Sequence, residues 1–161
     1  MGTLSVSWQD PKALADAGRG TTGLEFLRTM VEGKLPPPPI AQLMGFRLVE
    51  VDQGHAVFEC TPGEQHYNPI GVVHGGLAMT LLDSCMGCSV HTVMPAGAGY
   101  TTLEAKVNLV RAITSTTGKI RAIGKLIHSG KSIATAEGRI VDAAGKLYAH
   151  GTTTCIVLNG K

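Results

Sequence analysis

The sequence predicts an α+β fold in which one long buried helix packs against a curved antiparallel β-sheet of five to six strands. Three observations predict it. From Gly75 to about Val93 the chain has helical length and spacing, with Leu77, Leu81, Cys85 and Cys88 along one stripe and Ala78, Leu82 and Met86 beside it. After Pro95 to Gly99 the period switches to two, with Thr101, Leu103, Ala105, Val107 and Leu109 alternating with Thr102, Glu104, Lys106 and Asn108. Further strands at 118–128, 132–141 and 146–158 are joined by short turns rich in Ser, Thr and Gly, so neighbours run antiparallel.

The remaining elements follow in chain order. Residues 1–20 mix Gly, Ala, Ser and charges without a period and read as a loose tail. Thr22-Gly23-Leu24-Glu25 matches a capping box, and Leu24, Leu27, Met30 and Val31 continue at helical spacing until Gly33. Pro36 to Pro39 reads as a stiff extended connector. Phe46 to Asp52 and His55 to Thr61 form a hairpin about Gln53-Gly54. The organisation expected is a tail, short helix and connector over residues 1–39, then one domain over 40–161.

Composition narrows the function. Hydrophobic residues are 43% of the 161 and charged residues 16%, against a usual charged share of about 25%, which excludes disorder for most of the chain. The net charge of +2 is scattered and aromatics are 4%, so a nucleic-acid partner is not expected. No signal-peptide pattern opens the chain and no run of about 18 apolar residues occurs, so the expectation is a cytoplasmic protein with no membrane partner and four reduced cysteines. The 21 glycines are nearly twice the usual share of about 7%, pointing to turns and to places where backbone approaches something closely.

The chemistry concentrates in one segment. The 39 residues from Gln65 to Leu103 carry a single formal charge, Asp83, in the middle of the predicted buried helix. A lone carboxylate in apolar surroundings costs several kcal/mol unless paired, hydrogen-bonded or protonated, and desolvation there would raise its pKa and make it a better base. A hydrogen bond to a hydroxyl such as Thr80 is the plain structural alternative. At the helix start, Gly75-Gly76 leaves backbone N–H groups open where the helix dipole adds about half a positive charge, an oxyanion-binding geometry; tight helix packing is the alternative. Gly75 and Asp83 lie about 12 Å apart along a helix, too far to serve one reacting carbonyl. Two copies paired about a two-fold axis with these helices antiparallel would bring Asp83 of one to Gly75 of the other. An obligate homodimer is therefore expected.

The run Asn68…Gly71-Val72-Val73-His74-Gly75-Gly76…Leu82-Asp83 closely resembles the signature of hotdog-fold acyl-CoA thioesterases of the PaaI-like, phenylacetate-pathway type, over about residues 40–158. That resemblance implies the hotdog fold, homodimers with sites at the interface, often paired again into homotetramers, and metal-free hydrolysis of acyl-CoA without a cofactor, coenzyme A being part of the substrate. It further implies that the Gly75 amide and the Asn68 side chain polarise the thioester carbonyl. Asp83 from the partner would be general base or nucleophile, and the Thr102 hydroxyl would position water. Thr102 is favoured over its neighbour Thr101 by lying on the polar face of its strand. His74, just before the helix, suits a structural role better than proton transfer. Arg111 and the turn Ser129-Gly130-Lys131-Ser132 match positions where similar enzymes hold coenzyme A; solvated edge charges and an ordinary turn are the alternatives.

One signal is set aside. Cys85-Met86-Gly87-Cys88 with His91 spreads its side chains over too wide a helical arc for zinc and lacks a preceding redox-type strand, so core cysteines are expected. Other readings of the same fold are a hydratase or dehydratase and a non-catalytic acyl-CoA-binding protein. The first lacks a His-Phe-Pro-type segment here, and Asp83 argues against the second.

Overall fold

The computed structural model describes residues 1–158; the last three residues of the predicted domain lie outside them. Six strands, β1 (Phe46–Asp52), β2 (His55–Cys60), β3 (Gly99–Leu109), β4 (Ile120–Ser129), β5 (Ile133–Asp142) and β6 (Leu147–Leu158), form one sheet in the order β1-β2-β4-β5-β6-β3. Every neighbouring pair is antiparallel. Among the described residues four α-helices accompany it: α1 (Pro11–Gly18), α2 (Gly23–Val31), α3 (Pro39–Met44) and α4 (Gly75–His91). The sheet curves around α4, as the sequence predicts. Leu77, Leu81, Leu82, Cys85, Met86 and Val90 of α4 are buried against Phe58, Ile120, Ala122, Ala136, Ile140 and Ala149 of the strands.

Part of the glycine excess serves this contact. Gly124, Gly138 and Gly151 stand side by side across β4, β5 and β6, in one row with Ala56 and Val107. A methyl group on Gly124 would come 2.1 Å from the Cys85 carbonyl oxygen, and one on Gly138 would come 2.8 Å from Met86 Cγ. The bare backbone therefore lets α4 settle into the sheet at a distance no side chain permits.

The N-terminal part differs from the expectation of a loose tail. Asp10 caps α1 by accepting from the Lys12 N–H at 2.9 Å, and Pro11 opens the helix, so a short helix forms although none of its residues is buried. The capping box at α2 forms as predicted, Glu25 N–H donating to Thr22 Oγ1 and Thr22 N–H to Glu25 Oε2. The connector is shorter than expected: Pro38 stays extended, but Pro39 occupies the first turn of α3, which ends at Gly45 with a φ of 66°.

α2 closes the C-terminal end of α4. The Gly23 N–H donates to the Met94 carbonyl, and Phe26 stands edge-on to the His91 ring with centroids 5.9 Å apart. The CxxC resolves into core residues: Cys85 is buried, and burial followed by the Asp83 charge pushes the Cys88 thiol up to about 12.

Two measurements check these contacts. Gly124→Ala is expected to cost about 1–3 kcal/mol in urea unfolding, while Gly99→Ala, with open space around it, stays within about 0.5 kcal/mol. Burial holds the His91 pKa below its ordinary value. The unfolded chain binds that proton first, so stability is lost as pH falls below about 6.5 toward the lower folded value. His91→Gln should show a smaller loss over that window.

Candidate active site

The loop from Tyr67 to His74 delivers the chain to the start of α4. Asn68 closes it: its Oδ1 accepts from the N–H groups of Ile70 and Val72, its own N–H donates to the Val72 carbonyl, and Tyr67 bridges to Val73. This Asx-type turn uses the side-chain carbonyl and leaves Nδ2 free to donate. His74 is the N-cap of α4, its Nδ1 accepting the Gly76 N–H at 2.8 Å. Through Nδ1 the ring bonds backbone in the glycine turn. Its ring also explains Gly76, because a methyl there would meet Nδ1 at 2.8 Å.

This cap changes the expectation of two open amides. Gly76 N–H is taken by His74, whereas the Gly75 N–H meets no acceptor among the described residues. One amide therefore remains at the positive end of a 17-residue helix. Leu109 of β3 lies over Gly75, where a methyl would come 2.5 Å from its Cδ1. Asn68, Gly75, Leu109 and Arg111 line one cleft of about 320 Å³.

Asp83 departs from the sequence reading. The helix is not covered all round: Met79 and Asp83 lie on a strip of α4 that the sheet does not reach, and both are exposed in the single chain. No burial by its own subunit desolvates the carboxylate. Asp83 Oδ1 accepts instead from the Thr102 hydroxyl at 2.8 Å, and not from Thr80, whose hydroxyl donates to the Gly76 carbonyl.

Thr102 reaches Asp83 for a reason opposite to the one expected. Thr102 pairs with Cys155 and Glu104 with Thr154, so Leu103 is an extra residue, a β-bulge. The bulge breaks the alternation, placing Thr102 on the inner face with Ala105 and Val107 rather than on the outer face with Lys106 and Asn108. Behind this pair Tyr100 packs on His91 and over Gly87, where burial first, then the nearby thiols and Asp83, push its phenol pKa up.

The expected coenzyme A residues fall at opposite ends of β6. Arg111 N–H donates to the Tyr148 carbonyl, its Nε to the Leu147 carbonyl, and its guanidinium lies 5.9 Å from the Tyr148 ring centroid. The turn at 129–132 joins the far end, where the Ser132 carbonyl accepts from Val157 N–H. The nine residue steps from Tyr148 to Val157 span about 30 Å of strand. One subunit thus gathers Asn68, Gly75 and Arg111 at one place and Asp83 and Thr102 at another, with the 129–132 turn toward the latter end.

The family profile described as "Thioesterase superfamily" matches residues 70–149, the span from the loop before α4 to the start of β6. The chain belongs to the thioesterase superfamily. Human acyl-coenzyme A thioesterase 13 is 26% identical over 137 residues, covering 83% of this chain and 96% of that protein. A Saccharolobus solfataricus protein named as an esterase is 28% identical over 122 residues, covering 76% and 85%. The crystal structure of a phenylacetic acid degradation-related protein from Ralstonia eutropha superposes with a TM-score of 0.72 at 26% identity, covering 81% and 98%. The fold is the hotdog fold, and the protein is a thioesterase. No described helix is long and apolar enough to cross a membrane.

The capping geometry is testable. His74→Ala should lower stability by about 0.5–2 kcal/mol through the lost N-cap. His74→Asn, which restores a cap acceptor, should recover most of it in the same urea titration.

Proposed function

We propose that the protein hydrolyses acyl-coenzyme A thioesters to the free acid and coenzyme A in sites shared by two copies of the chain. The observation that carries this reading is the division of the machinery. The carbonyl-polarising groups Gly75 and Asn68 stand about two helical turns from the Asp83–Thr102 pair, and each group is incomplete alone. The outer edge of β3 supports the pairing. It is a strand of 11 residues with one unpaired side, bearing exposed Leu103 and Leu109 and followed by exposed Val110, with exposed Met79 on α4. A long apolar edge of this kind invites a second copy. Pairing about a two-fold axis would bury that edge and the open strip of α4, and such dimers would pair again into tetramers.

In the composite site the thioester oxygen accepts from the Gly75 N–H and from Asn68 Nδ2. The helix dipole opposes the charge that grows on that oxygen. The partner subunit's Asp83, held by the partner subunit's Thr102, takes a proton from water as the hydroxide attacks the carbonyl carbon. Direct attack by the carboxylate is the second form of the same step. The carbon–sulfur bond breaks, the thiolate leaves, and the proton held by the carboxylate ends on the thiol. Thiolate is a good leaving group, so no further acid and no cofactor enter the scheme. Arg111 and the turn with Gly130, Lys131 and Ser132 are assigned to the phosphates and pantetheine arm of coenzyme A. Four free cysteines suit a cytoplasmic setting.

Thiol release from a panel of acyl-coenzyme A substrates tests the reading. Asp83→Asn should lower kcat by about 10²–10⁴ with an unchanged Tm; near-native turnover would refute the assignment. Asn68→Asp keeps the acceptor that holds the loop and removes the donor, so it should lose about 10²–10³ in kcat. Co-expressing these two inactive variants should restore about a quarter of wild-type activity, because half the random dimers carry one intact site of two. No recovery would place each site within one chain.

A further inference from the structure

A second cleft, of about 480 Å³, lies on the other flank of the α4 N-terminus. Its floor is Gly76, Leu77 and Thr80 of α4, one wall comes from Leu43 and Met44 of α3, and Leu4 of the N-terminal arm forms the rim. Among the described residues no Lys, Arg, Asp or Glu lines it. Its polar side chains are already engaged. His66 accepts from the Gly63 N–H and contacts the Met44 carbonyl at 3.1 Å, the Tyr67 hydroxyl is bonded to Ser115, Thr80 to the Gly76 carbonyl, and His74 Nδ1 to the Gly76 N–H. Only the Gln65 amide and the far nitrogen of His74 remain. A lining of mostly satisfied polar groups with bare leucine and methionine offers no Lys, Arg, Asp or Glu counter-charge to a charged guest and favours an apolar one.

The two clefts adjoin the first turn of α4, Gly75 lining the one and Gly76 the other, and they differ in charge. The one with Arg111 suits a polyphosphate arm; the uncharged one suits the other half of a thioester. We propose that this second cleft is the acyl site, that it selects neutral apolar acyl groups, and that Leu4 and Leu43 set the size it accepts. The volume lies within the range of about 300–1,000 Å³ for small-molecule sites. Three of the four long apolar residues that would meet the acyl chain, Leu4, Leu43 and Met44, come from outside the sheet and α4, and Leu4 and Leu43 are themselves exposed, at 58% and 54%. An occupant would cover them.

This inference rests on acyl-coenzyme A hydrolysis, and the experiment separates the two. Thiol release is measured with acetyl-, octanoyl- and succinyl-coenzyme A on the wild type, Leu43→Trp and Leu4→Trp. Both positions are surface residues, and Tm checks that each variant is folded. The wild type is expected to favour octanoyl over succinyl in kcat/KM by tenfold or more. Each tryptophan is expected to lower the octanoyl-to-acetyl ratio of kcat/KM at least tenfold, since a misfit of one or a few methylenes is worth about 10–200-fold. Smaller changes in both variants, or a preference for succinyl, overturn the proposal. If the wild type releases thiol from none of the three, the hydrolysis reading fails and the cleft is judged by calorimetry. A gain in affinity of octanoyl-coenzyme A over free coenzyme A that Leu43→Trp reduces tenfold supports the acyl site, and anything less overturns it.

Discussion

The close seating of α4 on the bare backbone of Gly124 and Gly138 is the contact on which the rest depends. It sinks one face of the helix into the sheet, so that Leu82, Cys85 and Met86 are fully buried. Because the sheet wraps only part of the helix circumference, the same seating leaves a strip from Gly76 through Met79 to Asp83 uncovered. The N-terminus of α4 is likewise left at the surface, where its one unused amide faces a cleft. Core and site are thus two sides of a single helix. Apolar side chains hold it in place, and the few polar groups opposite them are displayed with little freedom to move.

The groups of the proposed site come from different secondary-structure types. The helix supplies a fixed dipole and one N–H at Gly75, while the loop before it supplies Asn68 through a turn that spends the side-chain carbonyl and saves the amide nitrogen. The strand β3 supplies Thr102 to hold Asp83. His74 acts on this end of the helix through Nδ1. By consuming the Gly76 amide it fixes the first turn and leaves a single donor at the helix end.

Much of this was legible in the sequence, because the signals were local. The capping box of α2, the hairpin at Gly54, the length of α4 and the run of long strands each follow from spacing and turn chemistry, and their bounds agree with the structure to within a few residues. The Asn68-to-Asp83 run carried the resemblance that the superfamily match bears out. What was not legible depends on partners far along the chain. Asp83 read as buried because its sequence neighbours are apolar, yet exposure is decided by how far the sheet wraps. Thr102 was favoured for lying on the polar face, and it faces inward only because a bulge at Leu103 shifts the register against β6. The helix at Pro11–Gly18 has caps but buries nothing, so no apolar period announced it.

The bulge at Leu103 carries a consequence for how this strand tolerates change. A period of two means that one residue more or fewer turns every following side chain over. Here the extra residue stands between the hydroxyl that holds the carboxylate and the stretch that covers the helix start, so each half keeps its facing only while the count between them stays fixed. Exchange of side chains at Thr101, Leu103 or Glu104 leaves that count intact, whereas loss or gain of one residue would swing Thr102 away from Asp83 or Leu109 away from Gly75. Among descendants of this chain, length variation should therefore collect in the turns at either end of the strand and leave its middle untouched.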